Sequence, residues 1–190
     1  MPRVVDTEQR RSEIVMAVWA VIYRQGIEGV TYQAVAHEAG VSVGRVQHYF
    51  ASKRDLVVAG AEQLVAWSTT AHDQAVARLE PDPYLLLTRV LTQPVPRDEG
   101  FRRGAAVWYA YLARAMVDLE IAEVVAPASR GAVSEAAALL RQTGLDEEAA
   151  ETTATRLVAL SNGLTQRVLV GSLPPEQAVE ILQQEVARLR

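Results

Sequence analysis

The chain has 190 residues, a length that fits one domain or two small ones sharing a core. It contains no Cys, which excludes a disulfide frame, a thiolate metal site and a cysteine nucleophile. An apolar share of 49% and a charged share of 22% are ordinary globular usage, and a formal net charge of -4 argues at first sight against a partner made of phosphates. The longest apolar run without a charge, Val15 to Tyr23, is too short to span a bilayer. The acidic Asp6, Glu8 and Glu13 ahead of it are unlike a signal peptide, so the expected location is the cytoplasm.

Thirty residues are Ala, with many Leu, Arg, Glu and Gln beside them, and i, i+3, i+4 apolar spacing recurs without clean period-two alternation. The expected fold is therefore all-α. A first helix is predicted from Thr7, as its N-cap, to Gln25, with Ile14, Val15, Val18, Trp19 and Ile22 as its inner stripe. A second opens at Thr31 and closes at Gly40, a third covers Val43 to Phe50, and a long fourth runs from Ser52 towards Leu79. Pro83 to Leu91 forms a short helix, and the loop TQPVPRDEG follows. One long helix is then expected from Phe101 to Val125, with others at Ser129–Thr143, Glu147–Val170 and Pro175–Leu189. On this reading each later proline marks a connection, and Pro175 stands at the first helical position.

The stretch TYQAVAHEAGVSVGRVQHYF, residues 31 to 50, has its small and apolar residues where two short helices packed at a sharp angle need them. Ala36 makes room for the second helix, Gly40 allows a left-handed turn, and Val46 faces back into the angle with Val35, Ala39 and Val41. Ser42, Val43, Gly44, Arg45, Gln47 and His48 are left outside, on a face suited to reading DNA. Next comes YFASKRDL, in which Ser52 and Lys53 begin a helix whose N-terminus favours phosphate. A plain helical hairpin with a glycine turn has much of the same pattern.

From Arg10 to Leu64, with GVTYQAVAHEAGVSVGRVQHYFASKRDL at its centre, the sequence resembles the N-terminal domain of the TetR family of bacterial transcriptional regulators. Gly29, Thr31, Ala36, Gly40, Val41, Ser42, Gly44, His48-Tyr49-Phe50, Ser52-Lys53 and Leu56 carry the resemblance. It implies a helix-turn-helix domain over residues 1 to 55, followed by a helical ligand-binding and dimerisation domain over residues 56 to 190. The expected DNA contacts are Thr31, Gln33, Ser42, Val43, Gly44, Arg45, Gln47, His48, Tyr49 and Lys53. Arg45, Val46 and Gln47 depart from the family's usual succession of Thr, Leu and Tyr. In exchange, Arg pairs with a guanine edge and Gln with an adenine edge, unless Arg45 meets only phosphate.

Charge by segment answers the opening objection. Residues 1 to 55 hold seven Arg and Lys against six Asp and Glu, whereas residues 56 to 190 hold twelve against seventeen. The resemblance further implies a ligand-released repressor that binds a palindromic operator as a homodimer, with a small-molecule effector and no cofactor or metal. Dimer contacts would come from Leu157, Leu160, Leu164, Val168, Ile181, Leu182, Val186 and Leu189, if these stripes do not pack within one subunit. The effector would be lined by residues among Trp67, His72, Phe101, Trp108, Tyr111, Met116, Asn162 and Gln166, each of which is equally at home in a core. No catalytic motif occurs: HEAGV lacks the second His of a zinc-protease helix, and there is no G-x-S-x-G. The alternative is a helical small-molecule-binding or adaptor protein with weak or vestigial DNA binding.

Overall fold

Nine α-helices and one 3-10 turn order the described part of the chain, residues 3–190 of the computed structural model with side chains from Thr7 onward, and no strand occurs among them. They are α1 (Arg3–Gln25), the 3-10 turn Ile27–Gly29, α2 (Tyr32–Ala39), α3 (Val43–Tyr49), α4 (Lys53–Val76), α5 (Pro83–Thr92), α6 (Glu99–Ala115), α7 (Leu119–Gln142), α8 (Glu147–Leu169) and α9 (Pro175–Ala187). The expected all-α class is the observed one. Thr7 lies inside α1 and does not cap it.

Two features differ from the sequence expectation. The single helix predicted from Phe101 to Val125 is two, α6 and α7, broken at Met116–Asp118. Asp118 is the cause: its carbonyl accepts the Ala122 N–H at 3.0 Å and its carboxylate faces the Ile121 N–H, so it starts a new helix. Pro127, expected in a connection, lies inside α7. It withholds an N–H from the carbonyl of Glu123, but both residues are exposed, where that loss costs least, and the helix continues through position 129.

The chain divides into two compact units. The N-terminal unit runs to Ser68 and takes in Ala106–Val125; the C-terminal unit comprises Thr69–Ala105 and Ala126–Arg190. α4, α6 and α7 thus contribute to both. In the N-terminal unit Ile14, Val18 and Val21 of α1 pack with Val35, Val46, Phe50, Leu56, Tyr111 and Ile121. Burial of each such large side chain stabilises by about 1.5–3 kcal/mol, so this core sets the pose of the short helices α2 and α3, which are too short to persist alone.

The C-terminal unit has its own core from α5, α7, α8 and α9, including Leu87, Leu91, Leu140, Leu157 and Leu182. Polar contacts fix the register of these helices. Ser161 of α8 donates to the carbonyl of Leu91 at 2.6 Å, and Arg102 caps the end of α8 by donating to the carbonyls of Val168 and Leu169.

Candidate nucleic-acid interface

Local capping chemistry builds the helical hairpin. The Thr31 hydroxyl accepts the Ala34 N–H at 3.0 Å and opens α2. Gly40, at φ 64, closes it in the left-handed region, and the Val41 N–H returns to the Ala36 carbonyl at 3.0 Å. Ser42 then caps α3 by accepting the Arg45 N–H at 3.2 Å. Val46 is fully buried and holds α3 in the crook of the hairpin. The far end of α3 is tied back by Tyr32, whose hydroxyl donates to the Phe50 carbonyl at 3.1 Å. The Arg11 guanidinium stacks over the Phe50 ring at 4.7 Å, a cation–π contact from α1.

This arrangement turns Ser42, Gly44, Arg45, Gln47 and His48 to solvent along one side of α3, with Val43 and Tyr49 half-buried at its edges. Thr31 and Gln33 are exposed at the start of α2. Among the described residues no side chain pairs with Arg45, Gln47 or Gln33, so their donors and acceptors are open to a partner. His48 meets the Tyr49 ring edge-on at 5.3 Å. Lys53 is engaged otherwise: its ammonium donates to the Glu28 carbonyl at 3.2 Å. The N-terminus of α4 is closed by a reciprocal pair in which Asp55 accepts the Ser52 N–H and Ser52 accepts the Asp55 N–H, both at 3.0 Å. The spacing Ser52-x-x-Asp55 is a readable signal for that box.

Behind the hairpin stands an ion-pair group that the sequence reading did not single out. Asp118 accepts from Arg54 at 3.0 Å and from Arg114 at 3.0 Å, Arg114 reaches Glu28 at 2.8 Å, and Arg54 also pairs with Glu120. Burial works against the Asp118 charge, yet the Arg114 hydrogen bond, the Ile121 N–H and the two guanidinium charges hold its pKa below the usual carboxylate value. The group fastens the α6–α7 turn to the first turn of α4, directly after the outward-facing helix.

The expected effector residues fall in different surroundings. Tyr111 is fully buried in the N-terminal core and its hydroxyl donates to the Val57 carbonyl at 3.0 Å, so it offers a ligand neither surface nor a hydrogen bond. Met116 is 83% exposed in the α6–α7 turn and lines no interior. Tyr111 is enclosed by the packing of the N-terminal core, whereas Met116 is exposed by the helix break at Met116–Asp118, which apolar periodicity does not reveal. Trp67 is half-exposed, edge-on to Trp19 with ring centroids 5.0 Å apart, and Trp108 packs against the N-terminal core. His72, Phe101, Asn162 and Gln166 belong to the C-terminal unit. None of the eight lines the two shallow grooves of the N-terminal unit, about 280 and 290 Å³, which run beside Glu28 and Arg114.

The residues of the expected dimer stripe face mostly inward. Leu157, Leu164, Val168, Leu182 and Val186 are buried in the core of their own chain, and Leu160, Ile181 and Leu189 are half-buried against it. The exposed positions of α8 include Thr152, Thr155, Arg156, Ala159, Gly163, Gln166 and Arg167, and Val170 is exposed just beyond its end. Periodicity finds the apolar face of a helix but not whose core it enters.

Comparison with known proteins fits this geometry. Residues 14–59 match the family model described as bacterial regulatory proteins, tetR family, and residues 83–190 match that of the BetI-type transcriptional repressor, C-terminal. The HTH-type transcriptional regulator PksA of Bacillus subtilis (strain 168) is 36% identical over 115 residues, covering 60% of this chain and 56% of PksA. The chain spans about half the length of the curated relatives it matches in this way. Among solved structures, SCO1917 of Streptomyces coelicolor A3 is 31% identical with a TM-score of 0.67, covering 95% of this chain and 97% of that one. The multidrug binding protein EbrR, complexed with imidazole, is 33% identical with a TM-score of 0.60, covering 95% and 89%. Among the described residues no helix is long and apolar enough to cross a membrane. With a helix-turn-helix match at one end and a match over more than half its length at the other, the chain belongs to the TetR family of DNA-binding transcriptional regulators, which are not enzymes, and its C-terminal part is of the BetI type.

Proposed function

We propose that the protein acts in the cytoplasm as a homodimeric repressor that reads a palindromic operator and releases it when a small molecule binds the C-terminal unit. The observation that carries the DNA half is the outer face of α3, where Arg45 and Gln47 are exposed and unpaired among the described residues. A bidentate Arg contact to guanine and a bidentate Gln contact to adenine each discriminate by about 1–3 kcal/mol. Thr31, Gln33, Ser42, Val43, Gly44, His48, Tyr49 and Lys53 supply backbone contacts and register around them. The near-neutral charge of residues 1 to 55 makes non-specific affinity modest, so the operator complex leans on these placed contacts and on pairing of two heads about 34–36 Å apart.

Pairing is assigned to the outward faces of α8 and α9, with Ala159 and Gly163 allowing close approach and Leu160, Ile181 and Leu189 at the margin. The effector half is supported by Thr165, whose hydroxyl is fully buried and has no partner among the described residues. Such an orphan costs about 1–3 kcal/mol, which a ligand acceptor would offset. His72, Phe101, Asn162 and Gln166 are the accompanying candidates in that unit, and the small molecule carried by EbrR supports an effector of that size.

The test is binding of the full chain to the DNA upstream of its own gene at several salt concentrations. A specific complex is expected, weakened about tenfold or more by Arg45→Ala and by Gln47→Ala. Absence of any sequence preference at low salt overturns the operator reading and favours the adaptor alternative. A compound screen scored by release of that DNA tests the effector half.

A further inference from the structure

His72 of α4 sits among three helices of the C-terminal unit. Its Nε2 is 2.8 Å from a carboxylate oxygen of Glu135 on α7, and its Nδ1 is in contact with the side-chain oxygen of Gln93, the residue that ends α5. The side chain is only 17% exposed, so water does not readily replace either partner. A neutral imidazole carries one N–H and therefore serves one of two oxygens; the imidazolium serves both. The charged and polar groups that face the ring are Glu135 from α7, Gln93 from α5 and Asp73 from α4 itself.

We propose that His72 is a proton-operated clasp of the C-terminal unit: protonated, it donates to both the end of α5 and α7, and on losing its proton it keeps only one donated bond and leaves the Glu135 carboxylate without a facing cation. Burial opposes the charged ring, but the hydrogen bonds to Gln93 and Glu135, with the charges of Glu135 and Asp73, outweigh it and raise the pKa above the ordinary histidine value. Because the folded-state value is the higher one, the stabilisation is complete below the ordinary histidine pKa of about 6.5 and is lost as pH rises through the raised value. The clasp thus opens above the ordinary histidine value, where the stability of this unit becomes a function of proton concentration.

The experiment needs neither operator nor effector, so its outcome is independent of the proposed function. The imidazole resonances of the full-length protein are titrated by NMR, with His72 assigned against His37 and His48 by its loss in His72→Gln. His72 is expected to titrate above the ordinary histidine value, and Glu135→Gln is expected to lower its midpoint. In parallel, the melting temperature of the wild type should exceed that of His72→Gln by most at about pH 6, with the gap narrowing towards about pH 8.5. A His72 midpoint at or below the ordinary histidine value of about 6.5, or a gap that does not change with pH, overturns the proposal. The wild-type titration decides the matter even if a variant fails to fold.

Discussion

The hydroxyl of Tyr111 lies 2.2 Å from the point where a Cβ on Gly60 would project, so the tyrosine of α6 occupies the notch that the glycine leaves in α4. The Trp19 indole donates to the Gly60 carbonyl at 2.9 Å, and Tyr111 donates to that of Val57. One turn of α4 is therefore gripped from α1 and from α6. Gly60→Ala forces the buried ring to shift and is expected to destabilise by about 1–3 kcal/mol, despite the better helix propensity of alanine. Tyr111→Phe is expected to cost about 1 kcal/mol through its lost hydrogen bond. In the double variant part of the Gly60→Ala loss should return, because the colliding oxygen is gone. Denaturant unfolding of the four proteins checks this, and strict additivity would show that the two residues do not interact.

Gly44 presents the opposite case. It is helical and exposed, and nothing lies within 4 Å of where its Cβ would be, so the fold makes no demand for glycine there. Gly44→Ala should stabilise the protein by about 0.5–1 kcal/mol. In the proposed complex the same methyl group would stand between the α3 backbone and DNA, so operator affinity is expected to fall at least several-fold. Melting and operator titration of one variant read both effects, and an unchanged affinity would remove Gly44 from the DNA contacts.

Lys53 holds the Glu28 carbonyl in the free protein. If it turns to phosphate in the complex, Lys53→Ala weakens binding to every DNA sequence to a similar degree and reduces the salt slope by about one. A loss confined to the specific operator would instead place Lys53 in support of the recognition surface.

Asp118 couples the stability of the N-terminal unit to pH at the acid end. Its folded-state pKa is depressed, so its contribution is present above the ordinary carboxylate value and disappears as pH falls through the lowered one. Wild-type stability should fall between about pH 5 and pH 3 more steeply than that of Asp118→Asn, which retains a helix cap but no charge. Parallel pH profiles would exclude this linkage.

The hairpin was legible because its instructions are local. Thr31 with Ala34, Gly40 with Ala36 and Ser42 with Arg45 lie within one turn of each other, and residue type at that spacing is nearly sufficient to specify the geometry. The break at Met116–Asp118 was not. Asp118 owes its role to Arg54, 64 positions away, as well as to Arg114, and apolar periodicity runs on through the gap. Tyr111 and Leu157 show the same limit in the core. Their spacing announces burial, but only the folded chain decides that one is enclosed beside Gly60 and the other inside its own subunit and not a partner's. His72 stands in the sequence only as a candidate pocket residue, because its partners Gln93 and Glu135 lie 21 and 63 residues further on.

The chain has three tryptophans, Trp19, Trp67 and Trp108, and all of them fall in the N-terminal unit. Indole emission is therefore a private signal of the DNA-reading half, whereas far-ultraviolet dichroism sums the helices of both. Coincident melts by the two probes would mean that the units unfold as one cooperative body, and separated melts would time the loss of the reading head apart from that of the sensor, with no label added.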